Sequence, residues 1–410
     1  MNSEQSSIVI HEISKLQTPE QLWNPYEWYN DMLVNNPIYY DEKQNVWNVF
    51  RYDDVNMVLS DFKLFSSIRK RSVSPIPKTV NTRVDINSTD PPIQRDIRKL
   101  VSSAFTPRSL KEWEPRIRII AKELIDNMKQ MKKPDMIRDL AVPLPVTVIS
   151  DLLGTPRQDL HYIKNWSDIL FFPNSDDNVT DQVERKYHAK SEFNDYLLPI
   201  VKAKRQNPEK DIISDLTLAA YEGTQLTDEE VVTFSLGLLA AGNETTTNLL
   251  GNMFYTFAYE QPGIFQEILS NHSLISNAIE ETLRYRFPIT LDRVLTMDSD
   301  VLGVPMKKGN IIVVWLGAAN NDAEQFPEPN KFDIHRENSN KHLSFGKGPH
   351  FCLGAPLARL EAQIALECFV ETFADIVPTE AFNPGLHLHK GTQNLLTLPV
   401  ELKILDKSII

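Results

Sequence analysis

The sequence predicts a mainly α-helical protein with small, scattered β-sheets, on three observations. Most of the chain carries the period of an amphipathic helix, few and short segments read as strands, and one run, residues 231–259, is long enough to cross a whole domain.

Taken in order, residues 1–17 are polar and lack the apolar core of a signal peptide. Residues 37–40 and 46–51 flank the turn-forming Asp41-Glu42-Lys43-Gln44-Asn45 and predict a β-hairpin. Residues 66–87 hold Pro75, Pro77 and several Ser and Thr without a period, which predicts a loop of the kind that often serves as a binding lid. Helices are expected over 109–128, 145–153, 184–203, 275–285 and 357–373, and a further strand over 310–316.

The central run opens on Thr227-Asp228-Glu229-Glu230, a capping-box pattern in which Thr227 and Glu230 each satisfy the other's backbone N–H. Its first half, 231–241, is apolar on every face, which predicts burial, and it is too short to span a bilayer. Into this helix falls Ala241-Gly242-Asn243-Glu244-Thr245-Thr246-Thr247, poor chemistry for a helix interior. Local rules broken inside a core mark a functional site.

No internal repeat and no Gly/Ser-rich or charged linker divides the 410 residues, so one unit spanning 1–410 is expected. A net charge of −12 disfavours nucleic acids and anionic membranes as partners. With no apolar stretch approaching the roughly 20 residues of a membrane span, no membrane anchor is expected, and the expected address is cytoplasmic.

The two cysteines, Cys352 and Cys368, form neither a disulfide framework nor a zinc pattern. Cys368 lies in an apolar helical run and reads as a core thiol. Cys352 sits in Phe345-Gly346-Lys347-Gly348-Pro349-His350-Phe351-Cys352-Leu353-Gly354, a Gly-rich loop running into a helix N-terminus. Backbone N–H groups and the helix dipole there favour a thiolate, and small neighbours let a large flat group approach the backbone.

The pattern Phe345-x-x-Gly348-x-His350-x-Cys352-x-Gly354 resembles the cysteine-ligand loop of the cytochrome P450 superfamily. The resemblance extends over nearly the whole chain and implies the cytochrome P450 fold, a long central helix over the haem, and Cys352 as axial ligand of haem b (iron protoporphyrin IX). Ala241-Gly242-Asn243-Glu244-Thr245 looks like the oxygen-activating motif, with Glu244 relaying protons and Thr245 steadying dioxygen. Glu281-Thr282-Leu283-Arg284 matches the family's structural Glu-x-x-Arg pair, completed by Arg336.

Haem propionates are expected at Arg98, Arg293 and His350, and at Gln94, where the family carries a histidine; Gln94 implies weaker anchoring. Phe345, Gly346, Gly354 and Ala241 complete the implied cofactor contacts. Substrate walls are implied in the 66–87 loop, around Phe171 and Phe172, along 239–245 from Leu239, at 289–291 with Ile289 and Leu291, and at 393–396 with Leu395.

The implied reaction inserts one oxygen atom of O2 into a hydrophobic small molecule. Among members of the family the chain is similar to soluble Bacillus-type hydroxylases of steroids, fatty acids or terpenoids, which implies a steroid-like substrate first. With no flavin or iron–sulfur motif in the sequence, NAD(P)H-derived electrons are expected from a separate ferredoxin or flavodoxin with its reductase. Arg95, Arg98, Lys99, Arg108, Lys111, Arg116 and Arg118 form a basic stretch suited to an acidic carrier.

Three rivals make different demands. A peroxygenase of the same fold uses peroxide and a substrate carboxylate in place of the Glu244–Thr245 pair, a haem sensor or carrier needs no proton relay, and a helical scaffold is colourless.

Overall fold

The computed structural model describes residues 8–73, 85–171, 179–286, 289–379, 382–388 and 394–406. The chain forms two units, one of Met1–Asp96, Asn277–Leu353 and Gly391–Gln393, the other of Ile97–Ser276, Gly354–Lys390 and Asn394–Ile410. Both are discontinuous in sequence.

The first unit is built on a five-stranded sheet. The expected hairpin forms as β1 (Ile38–Asp41) and β2 (Val46–Val49), with Asn45 at φ 52° in the turn, a left-handed conformation that Asn tolerates. Sheet order is β1-β2-β7-β6-β3, where β3 is Phe65–Ser66, β6 Thr290–Leu295 and β7 Ile311–Trp315. β2 and β7 pair in parallel and the other neighbours are antiparallel. One face packs on Val49, Val58, Leu59, Phe65, Ile312 and Val314, the other on Phe50, Val313 and Trp315, so alternate residues of β7 serve different cores.

Beside the sheet the expected Glu281–Arg284–Arg336 network closes without solvent. Arg284 donates Nη2 and Nε to the two Glu281 carboxylate oxygens at 2.7 and 2.8 Å, and Arg336 Nε reaches Oε1 at 3.2 Å. Further guanidinium N–H groups go to the carbonyls of Asn320, Pro327, Glu328, Pro329 and Lys331. A buried ion pair depends on such matching, and here all five Arg284 N–H groups and four of the five on Arg336 have protein acceptors.

The second unit is helical, with two small sheets. β4 (Ala220–Tyr221) pairs β5 (Thr224–Gln225), and β8 (Phe373–Pro378) pairs β9 (Val400–Ile404), both antiparallel. Helix Pro107–Met128 starts on Thr106, whose Oγ1 accepts from the Ser109 N–H at 3.2 Å. Helix Pro143–Leu153 stops at Gly154, whose φ of 77° is the left-handed cap that Gly supplies without strain. The central helix, Asp228–Tyr255, shows the expected capping box and continues as a π turn, Thr256–Glu260. It packs against helices Pro143–Leu153, Val179–Gln206 and Ala355–Val370.

Two expectations need correction. The last helix ends at Val370, and Phe373 begins β8, because Phe373 is drawn into the buried side of a strand. The first half of the central helix is not buried all round: Gly237 and Ala241 are exposed, four residues apart, with Thr245 next on the same line. No described helix is long and apolar enough to cross a membrane.

Candidate active site

In the first unit, the cysteine loop is shaped by its backbone. Gly348 has φ +68°, and a Cβ there would lie 2.7 Å from the Leu59 carbonyl oxygen, so only glycine fits. The Gly346 N–H bonds the Leu343 carbonyl at 2.7 Å, and the Cys352 N–H returns to the Phe345 carbonyl at 2.8 Å. These bonds hold Cys352 exposed at the loop's end, three residues ahead of helix Ala355–Val370, which starts on Gly354. The Phe345 ring is buried and meets Phe351 edge-on at 6.3 Å, while Phe351 itself stays 38% exposed. Cys368, by contrast, is buried, as a core thiol should be.

A cation cluster accompanies the loop. Arg293, on β6, is 5% exposed, and its Nη1 donates to the Asp292 carbonyl at 2.7 Å. The Asp292 carboxylate leaves the strand on the other face and is taken by Arg69, the Ser72 hydroxyl and the Val73 N–H. Burial first, then the Arg69 charge, pull Arg293 down to about 10. Among the described residues no carboxylate lies within ion-pair distance of Arg293, so its guanidinium suits an acid supplied from outside. His350 Nε2 lies 3.0 Å from the Ser67 hydroxyl.

Gln94 and Arg98 are one turn apart on helix Ile93–Ser102. Gln94 is buried and donates its amide to the Pro349 carbonyl at 2.8 Å, so it braces the cysteine loop through the backbone. Arg98 is half-buried. Of the basic stretch, Arg116 pairs with Asp151 and Arg118 with Glu367, which offsets two of its charges.

In the second unit, the unusual run of the central helix divides by face. Asn243, Thr246 and Thr247 are buried, and Thr247 donates to the Ala141 carbonyl at 3.0 Å, a structural role. Thr245 Oγ1 donates back to the Ala241 carbonyl at 2.8 Å, which leaves its lone pairs to accept a proton-bearing partner. Glu244 accepts from Asn394 Nδ2 at 2.7 Å through Oε1. Burial raises its carboxyl to about 7, with the Asn394 hydrogen bond and the Lys186 charge opposing. A carboxyl that can exchange its proton near neutral pH and a hydroxyl thus stand one residue apart on the same helix, the two group types that proton delivery requires. The sequence places Asn394 only within an expected pocket wall, and its bond to Glu244 was not foreseen because nothing local marks a loop amide as the partner of a distant carboxyl.

The wall positions separate. Leu239 and Leu395 are buried at 1% and 5% exposure, whereas Leu396 is 51% exposed, so the open apolar surface at this loop belongs to its neighbour. Ile289 and Leu291 are half-buried against the sheet core of the first unit. Phe172, the Phe171 side chain and residues 74–84 lie outside the described residues.

The first unit thus fits two requirements of a large, flat, acid-bearing iron cofactor: an exposed cysteine, and a buried arginine with no carboxylate at ion-pair distance among the described residues. In the second unit, a Cβ on Gly237 of the central helix would meet nothing within 4 Å.

Comparison with known proteins agrees. A family model described as Cytochrome P450 matches residues 4–404. Cytochrome P450(MEG) of Priestia megaterium is 45% identical, over 96% of this chain and 98% of its own. Erythromycin C-12 hydroxylase of Saccharopolyspora erythraea is 38% identical, over 85% and 86%. Among solved structures, CYP109E1 of Bacillus megaterium in complex with corticosterone superposes at a TM-score of 0.83 with 38% identity, covering 93% of this chain and 99% of that one.

Proposed function

The chain belongs to the cytochrome P450 family and is a haem b-dependent monooxygenase, and we propose that it hydroxylates a hydrophobic small molecule of steroid, fatty-acid or terpenoid type. Residues 1–410 act as one catalytic domain, in the cytoplasm, on electrons from a separate ferredoxin or flavodoxin with its reductase. The steroid leaning draws on CYP109E1, which was solved with corticosterone.

The observation that carries the dioxygen-dependent reading is Glu244, whose carboxyl burial raises to about 7, next to Thr245 on the central helix. Bound haem supplies dioxygen activation, and thiolate ligation favours O–O cleavage by donating electron density. Cys352 provides that thiolate, held by the bond from its own N–H to the Phe345 carbonyl. Arg293 and His350 would hold propionates, and Gln94 would act at one remove through Pro349. Because Asn394 occupies Glu244 Oε1, the relayed proton resides on Oε2. Thr245 accepts through its hydroxyl oxygen and so orients the proton-bearing partner. A peroxygenase would have no use for this pair.

Purified protein, reduced and exposed to carbon monoxide, is expected to give the strongly red-shifted band of thiolate ligation. Reconstitution with a surrogate ferredoxin system should then give product from O2. Turnover with peroxide alone, and none with the redox system, would replace this reading with the peroxygenase.

A further inference from the structure

Helix Val179–Gln206 turns one clear stripe inward: Ala189, Phe193, Leu197 and Val201, spaced four apart and each no more than 3% exposed. At about 100° per residue, Lys186 and Lys190 fall inside the arc those four residues span. Glu184, Arg185, Tyr187, His188, Ser191 and Glu192, on the remaining faces, are exposed. The two lysines are half-buried, and burial lowers both amines from the ordinary lysine value. A buried face that continues for three turns in apolar residues thus ends in two ammonium groups, one turn apart.

Desolvated ammonium groups need an anion. Among the described residues neither amine has a carboxylate at ion-pair distance; Lys186 feels Glu244 at longer range, and Lys190 feels burial alone. Glu244 is a poor counter-ion because burial keeps its own carboxyl partly protonated near pH 7. The same coupling locates Lys186 within electrostatic reach of the acid next to Thr245, all within the second unit.

We propose that Lys186 and Lys190 form an anion anchor for the substrate, taking the carboxylate of a molecule whose remaining body is apolar, a fatty acid or a polycyclic acid. The proposal rests on the reading of the chain as an oxidiser of hydrophobic small molecules and narrows its substrate class to acids. Side chains one turn apart, with Cβ atoms about 5–6 Å from each other, can share a single carboxylate. A bound anion near Glu244 would also favour that residue's protonated form, coupling substrate occupancy to the availability of the proton. A simple proton route into Glu244 would employ Lys186 and leave Lys190 idle, which is why anchoring accounts for more of the arrangement.

The test is a titration of the haem-loaded enzyme, read by the spin-state change of the Soret band, with hexadecanoate and with cholanic acid, each against its methyl ester. Wild type is expected to bind at least one acid more tightly than its ester. The double variant Lys186→Met, Lys190→Met should weaken acid binding at least about tenfold, the loss of a charge-assisted contact, with ester binding unchanged. Lys186→Arg, which keeps the charge, should retain acid binding, and a wild-type carbon monoxide spectrum in each variant shows that the fold is intact. A wild type with no acid preference in either pair, or variants that weaken acid and ester alike, overturns the anchor and leaves the monooxygenase reading in place. Absence of the red-shifted carbon monoxide band in wild type would sink that reading instead.

Discussion

Replacing Glu244 by glutamine removes a buried ionisable group and keeps its shape. Burial raises the carboxyl from an ordinary 4.5 to about 7. At about 1.4 kcal/mol per tenfold change in acidity, that difference corresponds to about 3 kcal/mol. The folded chain holds the proton more tightly than the unfolded chain, so the group's stabilising contribution is complete below pH 4.5 and is lost as pH rises through about 7. Above that, wild type carries a desolvated carboxylate that Glu244→Gln lacks. Denaturant unfolding of the two proteins from pH 5 to pH 8.5 should therefore show the variant gaining on wild type by up to about 3 kcal/mol across the series. The same variant should lose product formation, since glutamine relays no proton. Parallel stability profiles over the whole pH range would refute the burial argument, and retained coupling of oxygen use to product would refute the relay.

Thr245→Ala leaves the helix intact but removes the hydroxyl acceptor, so peroxide release per NAD(P)H consumed should rise while product falls; unchanged coupling counts against its role. Cys352→Ala should abolish the red-shifted carbon monoxide band, whereas Cys368→Ala, a change in the core, should leave the band in place and cost only packing. Glu281→Gln leaves the Arg284 and Arg336 charges buried without their shared anion and should destabilise by about 3–5 kcal/mol in equilibrium unfolding; a loss under about 1 kcal/mol would mean that water enters that site.

Much of the site is legible locally because its constraints are local. Gly348 is required by a positive φ and by the Leu59 carbonyl oxygen against it, and the capping box of Thr227 and Glu230 is a contact over three residues. Such features act through the backbone of their own segment, so spacing alone reveals them. Strands β6, β8 and β9 were not legible, because their pairing partners lie distant in the chain and short apolar runs carry no distinct period. Nor was the open stripe at Gly237 and Ala241, since a residue's burial depends on what packs against it.

By itself, the sequence determined the helical class, the turns of the cysteine loop and the Glu281–Arg284 couple, the last two being arrangements closed within a few residues. Only the tertiary structure decided that Asn394 holds Glu244, that Gln94 spends its amide on Pro349, that Asp292 turns to Arg69 and away from Arg293, and that two lysines interrupt a buried helix face. The physical reason is that desolvation and hydrogen-bond partnership belong to the packed neighbourhood, and residues far apart in the chain, as Gln94 and Pro349 are at 255 positions, build that neighbourhood.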